Sequence, residues 1–225
     1  MTNLSTPRGM DGLALLRLLH LADSALPVGA MSHSFGLESM VAEQGLQVAD
    51  LEAFFGDWLA GAGTLEAVYC VRAWTVADQD AWSALNAELT ARKPARESRE
   101  ASLSLGRRFL RLARSLMRDA PLAMPGPAHF SAAFGLVCGV LGIPATESAA
   151  AFLHQSLYGA VSACQRLLPL GQSRAAGLLW ELKPRILLVA ADAADRVPAE
   201  VWNPQPLFEL ASMRHPRLAT RLFIS

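Results

Sequence analysis

The chain has 225 residues, 52% hydrophobic and 18% charged, with 20 Lys and Arg balanced by 20 Asp and Glu. Such apolar content excludes a disordered chain and suffices for a large core. Zero net charge excludes a broad nucleic-acid footprint and removes self-repulsion, so association with a partner or limited solubility is expected.

Apolar residues recur at three- and four-residue spacing and no stretch alternates with period two, so every element is expected to be a helix. In chain order these run from Gly12 to Asp23, Gly36 to Gln44, Leu51 to Ala62, Thr64 to Ala77 and Asp80 to Ala91. Ser98 to Arg118, His129 to Leu141, Thr146 to Leu168 and Ser173 to Ala194 follow. Asp50 and Thr146 are natural N-caps, and Pro169 ends the helix before it. Arg8 precedes the leucine-rich first helix, but Arg17, His20 and Asp23 interrupt it, so it is not read as a signal peptide.

From Ala120 to Thr146 there is no acid, lysine or arginine. Pro121, Pro125, Pro127 and Pro144 nevertheless leave only His129 to Ile143 as continuous helix, short of the roughly 20 residues a bilayer requires. Gly135 and Gly139 form a G-x-x-x-G that lets two buried helices approach closely. On Ser98 to Arg118, Arg107, Arg111, Arg114 and Arg118 share one face, while Phe109, Leu112 and Leu116 share another. Loops at "ARKPARE", "APLAMPGPAH" and "RVPAEVWNPQP" do not resemble linkers, and there is no solenoid repeat. One all-α domain over residues 1–225 is expected, a bundle of nine to ten helices.

The usual signatures of chemistry are missing. Gly29 and Gly36 have no lysine nearby and no strand before them, so "DSALPVGAMSHSFGLES", Asp23 to Ser39, is not a P-loop. Ser32, His33 and Ser34 lack a G-x-S-x-G elbow. The three cysteines, Cys70, Cys138 and Cys164, form no C-x-x-C pair and read as buried thiols in a reducing cytoplasm. No histidine among His20, His33, His129, His154 and His215 has the H-E-x-x-H spacing, and His154 reads as a core residue. A transient metal site between two copies stays open for His33 or His215. Asp192 and Asp195 face the same way on a helix but have no second acidic cluster.

Two segments are unusual for what they contain. The Asp23–Ser39 loop is rich in glycine and serine, as loops that hold ligands or partners are. The tail "SMRHPRLATRLFIS" has no acid and combines Arg214, Arg217 and Arg221 with Met213, Leu218, Leu222, Phe223 and Ile224. Left in water such a tail is costly, so it either packs back on the domain or binds a partner.

Four blocks in order carry a family resemblance. "LPVGAMSHSFGLE" (Leu26 to Glu38) resembles the L-P-x-G-x-[FY]-x-x-S-x-G-L-E signature of UreF urease accessory proteins. "ESREASLSLGRR" (Glu97 to Arg108), "LLPLGQS" (Leu167 to Ser173) and "SMRH…RLFIS" (Ser212 to Ser225) resemble that family's later elements. Met31 departs from a common aromatic, Pro216 from an acid after the R-H pair, and Lys93-Pro94 from an Arg-Glu pair.

The resemblance implies an all-α homodimer in the cytoplasm and a role without catalysis. Such proteins bind UreD (also called UreH), recruit the GTPase UreG with it, and assist nickel delivery to apo-urease. Nickel and GTP are then handled by the partner complex, with no cofactor stably bound here. The resemblance assigns Gly29, Ser32, His33, Gly36, Glu38 and Gln172 to partner contact. It assigns Arg214, His215, Arg221, Leu222 and Phe223, within a docking segment 211–225, to UreD. The alternative from the residues is a small all-α enzyme for an apolar or phosphorylated substrate, built on Asp192, Asp195, His154 and Glu181.

Overall fold

The computed structural model describes residues 10–117, 126–196, 201 and 206–224, apart from the side chains of 206 and 207. Arg8, Arg118, Pro121, Pro125, Ser225 and most of the "RVPAEVWNPQP" loop lie outside the described residues. Every regular element described is helical. The helices are α1 (Gly12–Leu21), α2 (Leu37–Gln44), α3 (Leu51–Trp58), α4 (Thr64–Trp74), α5 (Gln79–Ala91) and α6 (Arg96–Leu116). They continue with α7 (Phe130–Val140), α8 (Ala145–Leu167), α9 (Gln172–Glu181), α10 (Lys183–Asp192) and α11 (Pro206–Arg214). No described helix is long and apolar enough to cross a membrane.

The centre is the crossing of α4 and α7. Every residue of α7 from Phe130 to Cys138 is buried, as are Leu65, Ala67, Val68, Tyr69, Cys70 and Ala73 of α4. Contact is this close because a Cβ on Gly135 would overlap the Cys70 carbonyl oxygen, and one on Gly139 would lie 2.6 Å from that of Trp74. The G-x-x-x-G therefore does what its spacing predicts. Around it, Phe109 of α6 and Phe152 of α8 meet Phe130 and Phe134 at ring separations of 5.3–5.7 Å, within the range of favourable aromatic pairs.

The start of α7 is capped by neighbours rather than by its own side chains. Asn86 Oδ1 accepts from the His129 amide at 2.8 Å, and Ser102 Oγ accepts from the Phe130 amide at 3.3 Å. The His129 ring lies between Ser102 Oγ, 3.0 Å from Nδ1, and Thr90 Oγ1, 3.0 Å from Nε2. Since Thr90 donates to the Asn86 carbonyl, the bonds are mutually satisfied by a neutral ring protonated on Nε2. Burial, then the Lys93 charge, lower its pKa to about 4.

Two boundaries and one cap bond differ from expectation. The run Ser173–Ala194 is two helices, because Pro184 lacks an amide donor and its ring crowds the preceding turn; the chain breaks at Leu182 and restarts with Pro184 in the first turn of α10. Thr146 lies inside α8, whose N-cap is Pro144. Asp50 does precede α3, but its carboxylate accepts backwards from the Gln47 amide. A further helix, α11, covers part of what reads as loop and tail.

Candidate functional site

The small-residue loop begins where α1 ends. Asp23 Oδ1 accepts from the Ala25 amide at 2.8 Å, closing an Asx-type turn. Gly29 has φ 81°, and a short 3-10 turn over Ala30–Ser32 follows. Phe35 and Gly36 are both left-handed, at φ 51° and 91°, a conformation that costs little for glycine and of order 1 kcal/mol or more for a residue with a Cβ. This double turn reverses the chain into α2. A Cβ on Gly36 would lie 2.7 Å from Ser212 Oγ, 3.0 Å from its amide and 3.2 Å from the Phe208 carbonyl. Gly36 is thus required twice, for its backbone angle and for the close passage of α11.

Glu38, in the first turn of α2, organises the tail. Its Oε2 accepts from His215 Nε2 at 2.7 Å and from the Phe223 amide at 3.3 Å, and its Oε1 accepts from the Leu222 amide at 2.6 Å. A carboxylate with three donors at a helix N-terminus is well satisfied although buried. The Ile224 amide donates to the Ser32 carbonyl at 2.9 Å, pinning the last described residue to the loop. Arg166 of α8 completes the seat. Its Nη2 donates to the Met31 carbonyl at 2.8 Å, and its guanidinium lies 4.0 Å from the Phe223 ring centroid. Ser98 of α6 donates to Ser212 at 3.0 Å, and Glu209 accepts from the Ala95 amide at 2.9 Å.

The structure therefore joins two segments that were assigned separately. Gly36, Glu38, Ser32, His215, Leu222 and Phe223 form one seat. His33, Gly36, Glu38, His215 and Phe223 are buried within this chain. What faces outward is Arg221, Leu222 and Ile224, the last two 63% and 68% exposed. Arg214 is half exposed and lies 3.7 Å from Glu43. Gln172 is exposed at the start of α9.

His215 is paired with Glu38, and the His33 ring lies tilted against that of Phe35 with centroids 5.7 Å apart, its pKa lowered by burial and then by Arg108. Among the described residues no three His, Cys, Asp or Glu side chains group to hold a metal ion. The residues of the enzymatic alternative are dispersed as well. Asp192 pairs with Arg196, Asp195 and Glu181 are exposed, and His154 is partly exposed on α8 rather than in the core.

Arg166 carries no local signal of its role, and Ser212, although it opens the SMRH block, is not among the residues that the resemblance assigns to partner contact. The departures from the family pattern have visible contacts. Met31 uses its backbone carbonyl, and Lys93 forms a buried ion pair with Glu66.

A family model described as UreF matches residues 47–183. That span stops short of both the loop and the tail, but whole-chain relatives extend beyond it. Proteins named urease accessory protein UreF from Arthrobacter sp. (strain FB24) and from Nostoc sp. are 32% and 34% identical over 220 and 225 residues. Each match covers 93% of this chain, and 96% and 95% of the relative. One from Dechloromonas aromatica is 34% identical over 228 residues, covering 95% of this chain and 98% of its own.

Proposed function

This chain belongs to the UreF family of urease accessory proteins, a family that assists an enzyme without being one, and from that premise we propose that it is the scaffold on which a urease maturation complex assembles. With UreD (UreH) it recruits the GTPase UreG and assists nickel insertion into apo-urease. It works in the cytoplasm as a homodimer, and nickel and GTP chemistry belongs to its partners.

The observation that carries this reading is the tail. Three backbone amides donate to Glu38 and Ser32, so the end of the tail is fixed while Leu222 and Ile224 remain exposed. A fixed segment with outward apolar side chains and the exposed Arg221 beside them suits an apolar partner groove rimmed by acids. The reading takes UreD as that partner and the segment 211–225 as the docking element. Self-association is supported by α1, which leaves Leu13, Leu16 and Leu19 53%, 66% and 60% exposed.

The test is co-expression with UreD and UreG of the source organism, followed by size-exclusion chromatography with light scattering. A defined complex containing two copies of this chain is expected. Removing the tail outright would also remove buried Ser212, His215 and Phe223, so point changes are the sharper probe. Leu222→Asp with Ile224→Asp should leave folding stability within about 0.5 kcal/mol, as surface changes do, yet release UreD. Retention of UreD by that variant would refute the docking role of the tail.

A further inference from the structure

Beneath the seat lies a cavity of about 130 Å³. An apolar cavity of about 150 Å³ is enough for a benzene ring. Its walls are apolar, with Leu26 and Val28 from the loop, Phe55 from α3, Leu105 from α6, Phe130 from α7 and Phe152 from α8. Asp23, Ser24 and Met31 of the loop and Phe208 and Glu209 of α11 line it as well.

The lining also holds polar groups: Glu66 of α4 and Lys93, an ion pair joining Glu66 Oε1 to the ammonium, and Gln155 of α8. Glu66 Oε2 has no hydrogen bond, although the Ser131 hydroxyl lies beside it, and Gln155 Nε2 has none either. Buried polar atoms are nearly always paired, and orphans lining a shared cavity indicate what an occupant must supply. The first wants a donor and the second an acceptor.

Burial raises the Glu66 pKa, but Lys93 outweighs it and holds the carboxyl below the usual range. The lining therefore carries this paired charge of each sign. An anion meets the carboxylate and a cation meets the ammonium, so a neutral occupant is favoured.

We propose that this cavity is a binding site for a small neutral molecule with a ring-sized apolar body and one amide-like group, whose N–H donates to Glu66 Oε2 and whose carbonyl accepts from Gln155 Nε2. The site is independent of the partner contacts proposed above, and it would fix α11 against the loop from inside.

Benzamide is the probe, with toluene and benzoate as controls, added to the full chain and followed by calorimetric Tm and by isothermal titration. Benzamide is expected to raise Tm and to bind at least tenfold more tightly than either control. Gln155→Leu should abolish that preference while toluene binding persists. Equal binding of benzamide and toluene by the unaltered protein would mean adventitious filling by an additive only, and would overturn the assignment. Absence of any shift at millimolar benzamide would overturn the site itself. Both outcomes are read on the unaltered chain, so a Gln155 variant that fails to fold does not shield the proposal.

Discussion

The α4–α7 crossing and the tail seat are both places where the backbone passes too close for a side chain, and they are held together in different ways. At the crossing, Gly135 and Gly139 lie on the Cys70 and Trp74 carbonyls, with an aromatic cluster packed behind them. Many dispersion contacts share the work and no single group dominates. At the seat, Gly36 lies on Ser212, but the closure depends on one carboxylate that receives three donors. Packing of the first kind fails as a whole, whereas the second kind can be undone alone. The tail is therefore expected to detach more readily than the core comes apart.

The largest effect should come from Gly135→Ala. Its Cβ would overlap backbone that cannot move without separating α4 from α7, and destabilisation of about 4 kcal/mol or more, or failure to fold, is expected. Urea titration of the purified variant checks it, and a change below about 1 kcal/mol would mean the two helices slide apart readily.

Acid should loosen the core next. His129 has a folded pKa of about 4 against 6.5 for an unperturbed ring. Below pH 6.5 the unfolded chain takes up a proton the folded one does not, so stability falls as pH drops to 4 and levels off beyond it. The lowered pKa of His33 acts in the same direction, and that of Glu66 adds a loss at lower pH. For His129 alone the loss is about 3 kcal/mol. His129→Asn should be less stable at pH 7 but flatter between pH 6.5 and 4; parallel curves for the two proteins would assign the acid loss elsewhere.

A local effect is expected at the seat. Glu38→Ala leaves the His215 ring and two amides without their acceptor, which should weaken tail docking by about 2 kcal/mol. Hydrogen exchange should then accelerate over 208–224 while α4 and α7 keep their protection. If α7 exchanges faster as well, the seat and the core are one cooperative unit. Glu38→Gln, which retains one acceptor oxygen, should fall between.

The smallest effect has the opposite sign. Gly177, in the exposed helix α9, has nothing within 4 Å of an added Cβ. Gly177→Ala should stabilise by about 0.5–1 kcal/mol. The same substitution at positions 135 and 177 thereby separates conformational entropy from close packing, which thermal melts of the two variants would read directly.

Much of the fold was legible because its determinants are short-range. The 3.6-residue periodicity located α1 through α8, and the spacing of Gly135 and Gly139 announced a close approach. Pro184 was equally visible, yet the apolar pattern continues across it and hides the break at Leu182. Thr146 is a good capping residue by type, but the turn begins at Pro144, whose carbonyl accepts from the Ser148 hydroxyl at 2.8 Å. For the site, the loop and the tail each stood out by composition. Their burial did not, because the local sequence around His33 or Glu38 reads the same whether water or a tail lies over it.

The sequence by itself determined the helical class, the Gly135 and Gly139 spacing that lets two helices approach, and the motifs of the UreF family. These follow from periodicity, steric limits and local residue types. Only the tertiary structure decided that Glu38 meets His215, Leu222 and Phe223, partners 177 to 185 residues away. It also decided that Leu222 and Ile224 face outward, and that Glu66, Lys93 and Gln155 share a cavity. Such pairings depend on the path of the whole chain, and no local pattern encodes which distant segment arrives at a given carboxylate.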